Sequence, residues 1–207
     1  MSSGLGDVDH GRHGTVASMT SYAPITAAHL PEGHVVRWAT WDREHVETTT
    51  IRWENEGYTV SGVVGRERIE YVLRLSANWQ VRQFILFRDV EEPDLWLATD
   101  GAGRWGEMNG AHRTELDGCY DIDLTCTPFT NTLPIRRLPL HEGDAAEVPV
   151  IVVDPETLEA RPVLQRYTRL ASHSWRYENT ETGFAVELEV DEHGLVHDYP
   201  GEFRRVS

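Results

Sequence analysis

The residues best equipped for chemistry lie between Asp117 and Leu140. Asp117, Asp121 and Asp123 supply carboxylates. Thr127, Thr130, Asn131 and Thr132 supply neutral hydrogen-bonding groups, and Arg136 and Arg137 supply two fixed positive charges. Three uses fit these types. Asp121 or Asp123, with a second acid such as Glu44 or Asp198, can form the carboxylate pair of a glycoside hydrolase, which needs a separation of about 5 to 9.5 Å. Arg136 and Arg137, with Thr130, Asn131 and Gln165, can orient a polar head, because a guanidinium grips phosphate or carboxylate at two points. The plainest use is structural: a solvated face, or arginines that pin the carboxylates.

Spacing narrows the choice. Read as a strand, this stretch puts Tyr120, Ile122 and Leu124 on one face and Asp117, Cys119, Asp121 and Asp123 on the other. Alternate strand residues sit about 6.6 Å apart, so neighbouring carboxylates repel by up to roughly 2.5 kcal/mol at an effective dielectric near 20. They must face water, a cation or the arginines that follow. Pro128, Pro134 and Pro139 each lack a ladder donor, so beyond Thr127 the chain leaves the sheet or follows its edge.

Other chemistries find little support. His45, His112, His173, His193 and His197 show no zinc spacing, and His193 and His197 are separated by a turn at Gly194. His10 and His13 belong to a glycine-rich tail. No G-x-S-x-G elbow occurs. Cys119 lies among carboxylates that raise a thiol pKa, which disfavours a nucleophilic thiolate. Cys119 and Cys126 fall on opposite faces of a regular strand, which argues against a bridge. Asp100-Gly-Ala-Gly103 reads as a hairpin turn, since it lacks phosphate-loop spacing. Tryptophan and tyrosine residues go first to the core, where burying one Trp contributes up to roughly 4–6 kcal/mol. Trp79, Trp96, Trp105, Tyr71, Tyr167 and Tyr199 are the aromatics available to line a cavity.

The elements that position these groups are short strands. Val35–Trp41 opens the pattern. Val46–Glu54, with Thr49, Ile51 and Trp53 on one face, turns at Asn55-Glu-Gly57 into Tyr58–Val64. Ile69–Leu75 alternates cleanly and turns at Ser76-Ala-Asn78 into Trp79–Arg88. Leu95–Thr99, a hairpin of Trp105–Met108 with His112–Leu116, and the central stretch follow. Val148–Val153, Val163–Leu170, His173–Glu178, Phe184–Val190, Leu195–Tyr199 and Phe203–Val206 complete the set. A short helix is expected after Thr130 or near Pro155. The whole predicts an all-β single domain: a rolled antiparallel sheet, or incomplete β-barrel, of a dozen or more short strands. Residues 1–34 read as a flexible leader and residues 35–207 as the β-roll domain.

The chain has 207 residues and a formal net charge of −15. Such acidity disfavours nucleic acid and anionic membrane surfaces. No apolar run approaches the ~20 residues of a membrane helix, and residues 1–14 contain no apolar signal segment, so a cytoplasmic location is expected.

Several stretches carry a family resemblance. Asp121-Ile-Asp-Leu124 followed by Thr127-Pro-Phe-Thr-Asn-Thr-Leu-Pro-Ile-Arg-Arg-Leu138 closely resembles the signature of a bacterial family labelled putative glycolipid-binding proteins. Asp100-Gly-Ala-Gly-Arg-Trp105, Gln165-Arg-Tyr167 and Gly194-Leu-Val-His-Asp-Tyr-Pro-Gly201 match as well, and the similarity spans about Arg37 to Arg205. The resemblance implies a rolled, incomplete β-barrel like that of envelope lipoprotein carriers, and a glycolipid ligand. It brings no catalytic residues.

The expectation is therefore a non-catalytic binding protein. It holds a glycolipid or other amphipathic small molecule in the concave face of a β-roll, with no cofactor and no metal. Asp121, Asp123, Thr130, Asn131, Arg136, Arg137, Gln165, Tyr167, Trp105 and Tyr199 are the ligand-contact candidates. A sugar or lipid hydrolase using Asp121 or Asp123 is the first alternative, and a structural domain with no ligand the second.

Overall fold

The computed structural model describes residues 22–65, 69–89 and 92–206. His10 and His13 lie outside the described residues. In chain order the strands are β1 (His34–Thr40), β2 (Val46–Glu54), β3 (Gly57–Val64), β4 (Ile69–Ser76), β5 (Val81–Arg88), β6 (Leu95–Thr99), β7 (Trp105–Glu107) and β8 (Asp121–Leu124). A helix, α1 (Thr132–Arg137), then leads to β9 (Ala145–Val153), β10 (Ala160–Ala171), β11 (Ser174–Asn179), β12 (Ala185–Glu189), β13 (Asp198–Tyr199) and β14 (Phe203–Arg205).

The strands form two sheets in one domain. The large one runs β13-β14-β1-β2-β3-β4-β5-β6-β7 and curls into a half-barrel; the smaller runs β12-β11-β10-β9-β8. Strict alternation gives the large sheet one buried face. Ile69, Tyr71, Leu73 and Leu75 of β4 are all buried, while Glu70 is exposed. The β2–β3 hairpin closes through Asn55 and Glu56, with φ of 52° and 62°. Two left-handed residues in succession match the right-handed twist of the flanking strands.

One ladder is parallel: β8 pairs with β9 in register from Asp121↔Val150 to Leu124↔Val153. A parallel pair needs a crossover, and the proline-rich run supplies it. That run does leave the sheet, as expected, and folds into a 3₁₀ turn at Phe129–Asn131 followed by α1. Pro134 is tolerated at the third helical position because the first four N–H groups of a helix have no intrahelical partner. Leu138, which precedes Pro139, is extended and ends the helix.

The crossover fills the half-barrel. Phe129 and Leu133 are fully buried in one contiguous core with Trp38, Tyr71, Leu73, Phe84, Leu86 and Leu97 of the large sheet. Ile135 joins the second core, with Val150, Tyr167, Trp175 and Leu188. Residues ahead of β1 take part too, since Tyr22, Ile25 and Ala28 are buried.

Some local expectations give way. Tyr120 is exposed and Cys119 buried, because only Asp121–Leu124 forms a regular strand. Trp79 has φ of 63° and belongs to the turn, so β5 starts at Val81. The expected strand His112–Leu116 reduces to a single Gly106↔His112 bridge and a 3₁₀ turn at Thr114–Leu116.

Candidate functional site

The expected polar residues assemble around β8. Asp121 is fully buried, and its two oxygens accept from Arg137, Nε to Oδ1 at 3.1 Å and a second guanidinium N–H to Oδ2. Asp123, two residues along on the same face, accepts from the Thr130 hydroxyl at 3.2 Å and the Gln165 amide at 2.7 Å. Burial raises the Asp123 pKa, and those two hydrogen bonds oppose the rise. Gln165 and Tyr167 share one face of β10. The Tyr167 hydroxyl lies 3.3 Å from Gln165 Oε1 and donates to Asn131 Oδ1 at 3.1 Å. Because Thr130 and Asn131 are neighbours, the network closes on itself: Thr130, Asp123, Gln165, Tyr167, Asn131.

This network backs a hollow of about 330 Å³. Asp123, Thr127 and Asn131 form its polar side. Tyr177, Phe184 and Tyr199 form an aromatic wall, with ring centroids 6.3 Å, 6.3 Å and 6.5 Å apart and the Phe184 and Tyr199 rings parallel within 2°. The β13–β14 hairpin supplies the remaining edge. Pro200 and Gly201 turn it, Gly201 at φ of 87°, and Glu202 N–H closes it on the Tyr199 carbonyl at 3.0 Å. Proline followed by a left-handed glycine suits the two central positions of such a turn. A second hollow of about 700 Å³ adjoins the first through Thr125, Glu202 and Phe203. It lies at the end of the half-barrel where β1 and β3 finish and β2 and β4 begin, and Trp41, Asp42, His45, Asp154 and Glu156 line it.

The candidates thus divide. Asp123 and Asn131 reach the smaller hollow along with Tyr199, while Gln165, Tyr167 and Thr130 stand behind it and fix its polar side. Asp121 and Arg137 satisfy each other. Arg136 and Trp105 go elsewhere. Arg136 is buried, donates to the His193 carbonyl and lies 4.2 Å above the Trp79 ring, and burial pushes its pKa down to about 10. Trp105 is a core residue whose indole donates to the Cys119 carbonyl at 2.9 Å. Consecutive helical residues point about 100° apart, which is why Arg136 and Arg137 cannot share a ligand. Neither Glu44 nor Asp198 borders either hollow. Trp79, Tyr71 and Tyr167 are also core, and burial pushes the Cys119 thiol up to about 11.

Behind Thr127 sits a group the sequence reading passed over. Glu47 of β2 is 3% exposed, and its Oε1 accepts from Thr127 at 2.6 Å, Tyr71 at 2.7 Å and Thr49 at 2.8 Å. Its Oε2 is buried without a partner among the described residues. Burial pushes the Glu47 pKa up to about 7 against those three hydrogen bonds. Tyr71 reaches Glu47 only because Gly62 lies between: a Cβ there would sit 2.2 Å from the tyrosine ring. The signal was present, since Glu47 shares the inward face of Thr49 and Ile51.

Among the described residues, no cluster of three or more His, Cys, Asp or Glu could hold a metal ion, and no helix is long and apolar enough to cross a membrane.

Fold and site define a class: a one-domain half-barrel, packed inside, with paired hollows at its rim. The model of the family described as "Putative glycolipid-binding" matches residues 35–205, and the chain belongs to that family. A crystal structure of a DUF1089-family protein from Pseudomonas aeruginosa is similar, with 34% identity over 86% of this chain and 96% of that one, at a TM-score of 0.65. No curated protein matches the chain.

Proposed function

We propose that this protein binds an amphipathic ligand, a glycolipid, without catalysing its conversion. The observation that carries the reading is the small hollow, which sets Asn131 and Asp123 against the Tyr177, Phe184 and Tyr199 rings. Convergent polar groups beside aromatic surface are the usual make-up of a small-molecule site. Family membership supports a binding role. Three of the stretches that carry the family resemblance meet at this place: Thr127–Leu138, Gln165–Tyr167 and Gly194–Gly201.

The location differs from the one the sequence suggested. A ligand in the concave face would have to displace Phe129 and Leu133, which are 0% exposed. The rim hollows are open without rearrangement, so the polar head goes there and the acyl part follows the larger hollow past Trp41, Val64 and Ile69.

The test is an organic extract of the purified protein analysed by mass spectrometry, alongside titration with glycolipid-doped vesicles. A co-purified glycolipid, or saturable binding that falls in Tyr199→Ala, is the expected result. Repeatedly empty extracts together with no vesicle binding would remove the proposal.

A further inference from the structure

Building on the glycolipid reading, we infer that the 330 Å³ hollow is a subsite for one uncharged sugar ring, read by Asn131 and Asp123, and that it rejects anionic heads.

Asn131 is the decisive residue. It is 4% exposed and lines the hollow. Its Oδ1 is taken by the Tyr167 hydroxyl, yet its Nδ2 amide makes no hydrogen bond among the described residues. A buried amide leaves two donors unpaired only at a cost. Nδ2 is not sealed from solvent, and Asn131 borders the hollow. With Tyr167 donating to Oδ1, the NH2 end of the amide faces the space, and an arriving ligand meets donors.

Asp123 supplies the opposite need. Each of its oxygens accepts one hydrogen bond, from Thr130 and from Gln165. A carboxylate has about four acceptor sites, so two remain. A donor amide beside an acceptor carboxylate matches a vicinal diol, where one hydroxyl accepts and its neighbour donates. The Tyr177, Phe184 and Tyr199 rings offer an apolar face to the C–H side of a pyranose. The volume of about 330 Å³ is enough to admit one hexose.

Charge sets the selectivity. Asp42, Asp123, Asp154, Glu156 and Glu202 line the two joined hollows, and no arginine does. A phosphate or sulfonate placed in the smaller hollow meets Asp123 and Glu202, and no histidine, lysine or arginine lines it.

The experiment uses phosphatidylcholine vesicles, either undoped, doped with monoglucosyl diacylglycerol, or doped with the sulfonated analogue of the same acyl chains, in a flotation assay. Wild-type protein should bind the glucosyl vesicles, and bind the sulfonated ones about tenfold more weakly at low salt. Asn131→Asp keeps the acceptor for Tyr167 and removes the donors, so glucosyl binding should fall about tenfold. Equal binding to glucosyl and undoped vesicles would overturn the sugar subsite and leave lipid binding standing. No binding to any vesicle would overturn both readings. Should Asn131→Asp fail to fold, Tyr199→Leu on the half-buried wall carries the test, and unchanged selectivity in a folded variant refutes the subsite.

Discussion

Replacing Glu47 with glutamine should stabilise the protein at neutral and alkaline pH and flatten its pH dependence. Burial lifts the Glu47 carboxyl from 4.5 to about 7 in the folded state. Between those values the folded protein holds a proton that the unfolded chain has lost. Stability therefore falls as pH rises through this window and levels off above it. The gap of about 2.5 units corresponds to about 3 kcal/mol at 1.36 kcal/mol per unit. For a domain of this size that is about 6–12 °C in melting temperature. Glutamine keeps an oxygen to accept from Thr49, Tyr71 and Thr127 but never ionises. At pH 5 the variant should match or fall slightly below wild type, having lost the acid proton and gained a buried amide. At pH 8 it should be more stable by up to about 3 kcal/mol. Urea unfolding of both proteins at pH 5, 6, 7 and 8 measures this, and the difference between the curves isolates Glu47 from other titrating groups. Parallel curves across the range would refute the argument, because they would mean Glu47 titrates alike in both states.

Three further outcomes are expected. Arg137→Ala strands the fully buried Asp121 carboxylate and should cost about 3–5 kcal/mol in denaturant unfolding, while the Asp121→Asn, Arg137→Met double variant recovers most of it. Gly62→Ala places a Cβ 2.2 Å from the Tyr71 ring and should lower the melting temperature sharply, with near-ultraviolet dichroism reporting displacement of that tyrosine. Asp123→Asn should leave the fold intact and relax the rejection of sulfonated glycolipid in flotation; a glycosidase turnover present in wild type and lost by ~10²-fold in this variant would instead place Asp123 in a hydrolase.

How legible was all this in the residues? The large sheet was plain, because Ile69–Leu75 and Val46–Glu54 each bury one face, and period-two alternation reports that directly. The β8–β9 pairing was not. Asp121 and Ile122 are both buried, so the strand is covered on two sides and its alternation no longer separates inside from outside. The parallel partner lies about thirty residues along the chain, a distance over which local pattern says nothing. The site was half legible. Asp123, Thr130, Asn131, Gln165 and Tyr167 stood out by type and do form one network. Arg136 and Arg137 read as a pair, whereas a helix sends them apart. Glu47 was overlooked because a carboxylate in an inward-facing position looks like an exception to the pattern rather than a member of it.

The position of the hollows follows from the same crossover. A half-barrel with an open concave face would hold ligand deep inside, as the resemblance to lipid carriers suggested. Here β8 must reach β9 in parallel, and the connecting segment has to pass between the sheets. Its three prolines keep it out of both ladders, and Phe129, Leu133 and Ile135 make it an apolar plug that seals each core. Burying such a segment leaves its polar groups needing partners, and three of them find one toward one end: Thr127 with Glu47, Thr130 with Asp123, Asn131 with Tyr167. The amide of Asn131 is the one donor group of this set left open to the hollow. The segment that closes the interior is thus the one that furnishes the rim, and displacing it to admit a chain would dismantle the polar side the head needs. Ligand uptake that proceeds without unseating Phe129, readable as an unchanged environment for that ring on binding, is what this architecture requires.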